Sequence, residues 1–364
     1  MSKIHQRTDV FVAGGGPAGL AAAIAIRLAG FQVMLAERHR PPIDKACGEG
    51  LMPDGVALLD RLGVVFPFGT TLPFAGIRFI ENGVVAIGRF RRGSGLGVRR
   101  TVLHQSMLRR AEELGVECLW GREVLDVRRD GVELDDRIVG SRWVVGADGK
   151  NSRIRRSMGL DVPPVHQRIG IRRHYETRPW SDLVEVHWST GCEAYVTPVG
   201  KAQVCLAMLV DDPSWKFDQA LGRFPALSQR LGDAPQSSRE QTDVTVVRRC
   251  PQVVSGRVAL VGEASGSVDA ITGDGITVAL HQAMALALSL QRSDLQAYSR
   301  SHRRLMRLPD RMGSLLLAID HRPRLRRWVL RCLAGAPPVF SHLLALHTRA
   351  LPLMKSAAWS SSPG

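Results

Sequence analysis

The N-terminal part of the chain contains two short apolar runs separated by a glycine-rich turn. Asp9–Ala13 has the unbroken apolar character of a buried strand. Residues 17–29 are rich in Ala, Ile and Leu, with Pro17 at their start and a glycine after their end, which is typical of a helix. Phe31–Ala36 is a second strand-like run, closed by Glu37. This order predicts a βαβ unit and hence a parallel sheet.

The later part of the chain combines two kinds of strand pattern. Trp143–Ala147 and Arg257–Val261 are apolar runs of the buried type, each ending in a polar loop. Residues 66–97 and 166–210 instead alternate apolar and polar positions, which indicates antiparallel strands with one exposed face. From about residue 276 the pattern becomes helical. We therefore expect a parallel-sheet domain, interrupted twice by an antiparallel sheet and followed by helices.

Composition narrows the class of protein. With 364 residues, 45% of them hydrophobic, the chain can bury a substantial core and disorder is not expected. No apolar run reaches the roughly 18–20 residues of a membrane-spanning helix. The polar segment Met1–Asp9 predicts no signal peptide, and six scattered cysteines predict free thiols in a cytoplasmic protein without a metal site.

The net charge of +15 admits several partners. It comes from 43 arginines and only six lysines, a bias that a GC-rich genome also produces. Aromatic residues make up 5% of the chain and are not interleaved with arginines, so nucleic-acid binding is not expected. The segment Arg303–Leu333 mixes arginines with apolar residues. It is either a peripheral contact with an anionic membrane or a set of amphipathic surface helices. A short polar tail, Ser360–Gly364, ends the chain.

The turn Gly14-Gly15-Gly16-Pro17-Ala18-Gly19 carries the spacing G-x-G-x-x-G between a strand and a helix. Gly14 permits the tight turn, Gly16 admits a pyrophosphate, and Gly19 allows close packing of helix on strand. The helix N-terminus attracts phosphate. Glu37, at the end of the second strand, suits an unphosphorylated ribose. The turn predicts a bound dinucleotide but does not separate NAD from FAD.

Two downstream segments make that distinction. Val145–Arg155 contains Asp148-Gly149, and Val261–Gly266 leads into Thr272–Ile276. With the N-terminal turn, these resemble the three signature segments of the para-hydroxybenzoate hydroxylase-type flavoproteins. That family includes FAD monooxygenases, flavin-dependent halogenases and geranylgeranyl reductases. The resemblance implies FAD and an α/β fold: a Rossmann-like FAD-binding domain of the GR2 type, an interleaved antiparallel-sheet substrate domain and a helical C-terminus.

The resemblance also implies roles for residues. Glu37 would hold the adenosine ribose, Val124 would border the adenine, and Asp148 and Gly149 would serve both FAD and NAD(P)H. Glu263 stands where the family usually has Asp, and Thr272 where many hydroxylases have Pro, so the reach and shape of those loops can differ. The helix starting near Gly273 would face the pyrimidine side of the flavin. The implied FAD-binding set is Gly14, Gly16, Pro17, Ala18, Gly19, Glu37, Arg38, Cys47, Gly48, Arg100, Val124, Asp148, Gly149, Glu263, Gly273, Gly275 and Ile276.

The segment Lys45–Gly50 resembles the Cys-Gly flavin loop of geranylgeranyl reductases. Cys47 is the candidate catalytic residue, which could tune the flavin, gate the site or donate a proton; the alternative is a small residue packed beneath the ring. The reductases' aromatic segment is only partly matched, by Tyr195 and Pro198, and the halogenases' Trp-x-Trp-x-Ile-Pro segment is missing. Histidines, such as His174, His187 and His281, have no partner identifiable from sequence and are expected to be structural.

We therefore predict an FAD-binding domain of residues 1–65, 98–160 and 250–300, a substrate-binding sheet domain of residues 66–97 and 161–249, and a helical region of residues 301–364. The leading function is a monooxygenase that hydroxylates a hydrophobic or aromatic small molecule through a flavin C4a-hydroperoxide. The alternative is reduction of a C=C bond in an isoprenoid or other lipid, and a flavoprotein modifying a protein or RNA is the third. Because no second G-x-G-x-x-G follows a strand, the electrons would come from NADH or NADPH bound transiently, the expected donor, or from another electron carrier. The oligomeric state stays open.

Overall fold

The structure is a computed structural model that describes residues 4–349, and side chains within residues 6–347. The polar tail Ser360–Gly364 lies outside the described residues. The strands are β1 Ile4–Ala13, β2 Val33–Glu37, β3 Gly50–Leu51, β4 Thr71–Phe74, β5 Gly76–Glu81, β6 Val84–Arg89, β7 Gly95–Val98, β8 Glu117–Trp120, β9 Val124–Val127, β10 Gly131–Leu134, β11 Ile138–Gly146, β12 His166–Tyr175, β13 Val184–Ser189, β14 Cys192–Gly200, β15 Gln203–Val210, β16 Gln241–Val247, β17 Val254–Ser255 and β18 Val258–Leu260. The helices are α1 Pro17–Leu28, α2 Pro53–Arg61, α3 Arg100–Glu113, α4 Arg153–Ser157, α5 Phe217–Leu221, α6 Pro225–Leu231, α7 Gly275–Gln291, α8 Leu295–Asp320, α9 Pro323–Gly335 and α10 Pro337–Arg349.

An eight-stranded sheet forms the predicted Rossmann-like part. Its order is β17-β18-β11-β1-β2-β8, with β10 on β11 and β9 on β10. The pairs from β18 to β8 are parallel, as the βαβ pattern predicts. Apolar runs such as Val10–Ala13 are buried because helices cover them: α1 packs on the strands, and α7 packs on α1. β1 begins at Ile4 rather than at the predicted Asp9, because its polar first residues continue the ladder with β11.

A seven-stranded sheet has the order β16-β12-β15-β14-β13-β5-β6. Its pairs are antiparallel except β13 with β5. On one face, Cys192, Ala194 and Val196 of β14 pack with apolar residues of α5 and α6. The alternate residues of β14 lie on the other face, which we call the inner face. This alternation is the pattern that residues 166–210 predict.

A separate three-stranded sheet has the order β3-β7-β4. In this sheet β3 pairs with β7, and β7 pairs with β4; β4 and β7 lie at the two ends of the 66–97 segment. The strands between them, β5 and β6, belong to the seven-stranded sheet. The segment is thus divided between two sheets, which its alternation alone does not reveal. The small sheet lies tightly against β14, because a Cβ at Gly97 would be 1.8 Å from the carbonyl oxygen of Pro198.

An aromatic cluster lies between the inner face and the C-terminal helices. The ring of Phe79 stacks on Trp188 at 4.7 Å and on Phe340 of α10 at 5.0 Å between centroids. Met52 and Leu330 of α9 complete the cluster. Among residues 4–349 no single helix is long and apolar enough to cross a membrane. α9 and α10 together have the length and apolar composition of a membrane span, but they are bent by 106° relative to each other.

A buried ionic cluster fixes α8 to the inner face. The Arg168 guanidinium lies 2.9 Å from Asp211 and 3.1 Å from Glu193, with Asp269 and Asp320 at 3.6 and 4.0 Å. Arg168 and Glu193 are both fully buried. Burial raises the pKa of Glu193 to about 7, helped by repulsion from Asp320 and opposed by attraction to Arg168. The Arg168 guanidinium therefore compensates carboxyl groups from distant parts of the chain, and Arg326, 2.8 Å from Asp320, supplies a second cation.

Candidate active site

The glycine turn has the geometry that the spacing predicts. Gly14 has φ +112°, and a Cβ there would lie 2.3 Å from the carbonyl oxygen of Ala147. A Cβ at Gly19 would lie 1.8 Å from the carbonyl oxygen of Gly14. At Gly16, by contrast, a Cβ would meet no atom within 4 Å. No side chain caps α1, which begins at Pro17, and its first turn carries no acid. This open, uncapped helix N-terminus fits a pyrophosphate.

The three sequence motifs meet at this turn. A Cβ at Gly14 would lie 2.9 Å from the backbone nitrogen of Asp148, and one at Gly262 would lie 2.5 Å from Cβ of Ala18. Asp148 accepts hydrogen bonds from Ser152 Oγ at 2.6 Å and from two backbone N–H groups at the start of α4. Gly149 follows with φ +79° and open space beside it. The carboxylate of Asp148 thus holds the turn that carries Gly149.

Glu37 lies against the glycine turn at the predicted adenosine end. Its carboxylate accepts hydrogen bonds from the backbone N–H of Gly15 and of His39, both at 2.9 Å. Two residues missed from sequence lie beside it. The first is Trp120, which pairs with Glu37 across β2 and β8; a Cβ at Gly15 would be 2.6 Å from its ring. The second is His104, whose Nε2 is 2.9 Å from the Gly15 carbonyl oxygen. Burial lowers the pKa of His104, favouring a neutral ring.

The other predicted residues at this end are less enclosed. Arg38 is exposed, and its Nε donates a hydrogen bond to His39 Nε2 at 3.1 Å. Val124 is the first residue of β9, and its carbonyl oxygen accepts a hydrogen bond from Arg153 at 3.3 Å. β9 joins the eight-stranded sheet through β10 and β11, and Arg153 of α4 also holds it by an ion pair with Glu123 at 2.9 Å.

The Cys47–Gly48 loop packs against the inner face. Thr197 Oγ1 donates a hydrogen bond to the Gly48 carbonyl oxygen at 2.7 Å. The Cys205 thiol donates a hydrogen bond to the Cys47 carbonyl oxygen at 3.7 Å. A narrow gap runs beside the loop, lined by Cys47, Glu49, Leu51, Val98, Arg100, Leu103 and Ile276. The Nε of Arg100 is buried without a hydrogen-bond partner among the described residues. That orphaned donor fits a polar edge of a flavin.

The segments near Gly273 and Glu263 frame the same region. Gly273 has φ +69°, and Gly275 is the first residue of α7, directly before Ile276. Glu263 is bound at 2.9 and 3.0 Å by the ammonium group of Lys45, which also lies 3.1 Å from Asp243 of β16. Burial opposes a charged Lys45, but the two carboxylates outweigh it and raise the pKa of that lysine. Lys45 therefore ties the segment that contains Cys47 and Gly48 to Asp243 of the seven-stranded sheet and to Glu263, which follows β18 of the eight-stranded sheet.

Glu49 is the principal site residue that sequence reasoning missed. It is buried, and its backbone is left-handed with φ +57°. Its carboxylate accepts hydrogen bonds at 2.8 Å from both the Arg100 backbone N–H and Arg172, and lies 2.6 Å from His174 Nε2. Burial alone would raise the pKa of Glu49, but His174 and Arg172 outweigh it and lower that pKa. His174, for which the sequence identifies no partner, is thus paired with Glu49, which lies 125 residues away in sequence.

The other two histidines also have acidic neighbours. His187 Nε2 lies 3.2 Å from Glu185, and His281 Nε2 lies 3.8 Å from Asp54. All six cysteines are free thiols. Glu49, His174 and Cys205 offer ligand atoms within 4.8 Å of one another, but the Arg172 guanidinium on Glu49 opposes a cation there.

Replacing Glu49 with Gln should lower the free energy of unfolding of the apo-protein by about 2 kcal/mol near pH 7, because the buried carboxylate shared by Arg172 and His174 is lost, while Arg172 keeps Asp44 at 2.8 Å as its other partner. The pKa of Glu49 is lower in the folded than in the unfolded chain, so its contribution is complete above the unfolded value and disappears as pH falls through the folded one. Urea unfolding at several pH values measures both effects. E113Q, at an exposed ion pair with Arg110, is the control, with an expected loss below about 1 kcal/mol. Equal losses in the two variants would contradict the role of Glu49.

Comparison with known proteins defines the class. A family model described as an FAD binding domain matches residues 7–197, so the chain belongs to that family. It is 36% identical over 167 residues to a menaquinone reductase of Mycolicibacterium smegmatis, a match covering 43% of this chain and 41% of that protein. It is 29% identical over 353 residues to a putative 2-heptyl-3-hydroxy-4(1H)-quinolone synthase of Rhodococcus erythropolis, covering 84% and 91%.

Structural comparison agrees. The p-nitrophenol 4-monooxygenase of Pseudomonas putida superposes with a TM-score of 0.80 at 18% identity, over 96% of this chain and 100% of that one. The predicted fold class is confirmed: this is a Rossmann-like α/β flavoprotein of the para-hydroxybenzoate hydroxylase type. The chain is an FAD-dependent oxidoreductase.

Proposed function

We propose that the protein is an FAD-dependent monooxygenase that hydroxylates a hydrophobic, aromatic small molecule. The observation that carries this is the aromatic cluster on the inner face, close to the flavin loop. Met52 belongs to the cluster and follows Leu51 of the narrow gap, and its Cε would lie 3.7 Å from a Cβ at Gly273. The synthase from R. erythropolis and the monooxygenase from P. putida support the reaction class.

Each part of the chain has a role in this reaction. The open N-terminus of α1 at Gly16 holds the pyrophosphate, while the Cys47–Gly48 backbone and Arg100 flank the flavin. FAD held by these residues would supply the redox chemistry between the electron donor and oxygen or a substrate. The network of Glu49 positions the loop against α3. The aromatic cluster excludes water from the reacting carbon.

We propose NADH or NADPH as the electron donor. A cleft of about 650 Å³ opens beside the start of α3, and two arginines, Arg99 and Arg178, line it. Their charges suit the phosphates of a pyridine nucleotide that binds and leaves. No side chain of the glycine turn lines this cleft, so donor and FAD can bind together.

Replacing Arg178 with Gln should raise the KM for the donor about tenfold, because a charged phosphate contact is lost. Steady-state kinetics with NADH and NADPH measures the change, and the flavin content should stay equal to that of the wild type. R230Q, on an exposed position of α6, is the matched control. An unchanged KM for both donors would remove Arg178 from the donor site.

The reaction itself is tested with purified, FAD-loaded protein, a donor, and a panel of phenols, quinones and quinolones. A monooxygenase consumes oxygen and forms a product heavier by about 16 Da. Donor oxidation without any product of that mass, across the panel, would argue against hydroxylation. Failure of the protein to retain or rebind FAD would refute the flavoprotein assignment as well.

A second candidate is reduction of a C=C bond in an isoprenoid or other lipid. The Cys47–Gly48 loop favours it, since this loop resembles that of geranylgeranyl reductases and lies directly against the inner face. The relative from M. smegmatis is a menaquinone reductase. Without oxygen, this reaction would give a product heavier by about 2 Da. The same assay, run anaerobically with a menaquinone and followed by reoxidation of the quinone ring in air, distinguishes the two, because a saturated C=C bond keeps the added mass of about 2 Da whereas a ring reduced to the hydroquinone loses it.

A further inference from the structure

The outer sides of α9 and α10 expose an unusual concentration of apolar side chains. On α9, Leu325 and Trp328 are three residues apart, with Trp328 63% exposed. On α10, Val339, Leu343 and Leu346 follow the i, i+4, i+7 spacing of one helix face and are 45–53% exposed. We call these five residues the docking face. Exposed apolar side chains concentrated on two consecutive helices mark a contact with something other than water.

Both helices bury their opposite sides on the aromatic cluster. Leu330 of α9 and Phe340 and Leu344 of α10 are buried in it. The docking face therefore points away from the seven-stranded sheet. The two helices cover the aromatic cluster with their inner sides, and the docking face is on their outer sides. The five exposed residues are therefore not part of the protein core.

The exposed side chains of α8 and α9 that carry a full charge are predominantly arginines, and the exposed acid beside α10, Asp182, is neutralised by Arg89 at 2.8 Å. Within residues 301–347, the exposed charged side chains include eight arginines and no fully exposed acid: Asp320 is buried and Asp310 is paired with Arg249 at 2.8 Å. None of the eight arginines forms an ion pair among the described residues. They are Arg303, Arg304, Arg307, Arg311, Arg322, Arg324, Arg327 and Arg331.

We infer that the docking face binds the surface of an anionic lipid bilayer. Arginines pair with lipid phosphates, and a tryptophan and aliphatic side chains enter the headgroup boundary, which is the arrangement of an interfacial amphipathic helix. Nucleic acid would use the arginines but leave Val339, Leu343 and Leu346 in water. The bilayer accounts for both observations together.

Docking has a consequence for substrate access, which rests on the proposed function. The aromatic cluster lies directly beneath α9 and α10, and Met52 links it to the gap beside Cys47. A lipid-soluble substrate would then pass from the bilayer between these helices to the flavin without crossing water. The binding of the membrane itself does not depend on the reaction.

The test is co-sedimentation of the full-length, FAD-loaded protein with vesicles. We expect binding to phosphatidylcholine vesicles that contain about 30 mol% phosphatidylglycerol, and little to phosphatidylcholine alone. The double variant W328S/L343S should bind the anionic vesicles at least about tenfold more weakly. The variant R324Q/R327Q/R331Q should lose the preference for phosphatidylglycerol.

The matched control is V165S/F68S, which removes two other exposed apolar side chains and should bind like the wild type. An unchanged flavin spectrum establishes that each variant is folded. Equal binding by W328S/L343S and the wild type, or no preference for anionic vesicles, would overturn the inference. A change from dimer to monomer in W328S/L343S without vesicle binding would also overturn it, because a second copy would then cover the face.

Discussion

Replacing Gly16 with Val should leave the apo-protein folded but weaken FAD binding by at least about a hundredfold. A Cβ at this position meets no protein atom within 4 Å, and the backbone has φ −69°, which any residue adopts. The folded chain therefore has room for the side chain. That room lies at the uncapped N-terminus of α1, where the pyrophosphate must approach the backbone.

Flavin content after purification and titration of apo-protein with FAD, followed by fluorescence, measure the loss. The free energy of unfolding of the apo-protein should change by no more than about 1 kcal/mol, the difference between Gly and Val as helix caps. G19A is the contrasting variant. Its Cβ would lie 1.8 Å from the Gly14 carbonyl oxygen, so it should destabilise the fold itself by about 1–3 kcal/mol. Normal FAD affinity in G16V would place the pyrophosphate elsewhere.

Replacing Arg168 with Met should lower the free energy of unfolding by about 3–5 kcal/mol. The methionine fills much of the space but leaves Glu193, Asp211 and Asp269 without their cation. Glu193 and Asp269 are buried, so water cannot take over that role. The expected loss is among the largest that a single substitution produces.

Urea unfolding near pH 8 measures this loss, because the carboxyl groups of the cluster are then least protonated. R89M is the matched control: it breaks the Arg89–Asp182 pair, whose side chains are 55% and 60% exposed, and should cost less than about 1 kcal/mol. Comparable losses in R168M and R89M would mean that the cluster contributes little beyond packing.

The parts of the fold that depend on neighbouring residues could be predicted from the sequence. The βαβ unit around Gly14–Gly19 is one, since strand, turn and helix are contiguous. The nearness of Asp148 and Gly262 to that turn came from a family resemblance, and the structure places both beside it. The roles assigned to individual FAD-binding residues stay predictions.

The rest depends on which strands pair, and periodicity does not encode that. Trp120 reaches the glycine turn only because β8 pairs with β2. Glu49 meets His174 only because the flavin loop folds onto β12. Its left-handed backbone had no signal in the sequence, where glutamate at such a position is unexpected. The Arg168 cluster likewise collects acids from four separate segments.

The position of β18 in the parallel sheet has a consequence for how the protein is made. β18 pairs with β11 within the sheet, but its residues, Val258–Leu260, come late in the sequence. α7, which packs on α1, begins later still, at Gly275. The nascent chain therefore exposes the apolar edge of β11 until most of the protein has left the ribosome. The glycine turn emerges first, yet its surroundings are completed last. We therefore expect FAD to be retained only by chains that extend through α7, and a chain that ends before residue 258 to aggregate or to be degraded instead.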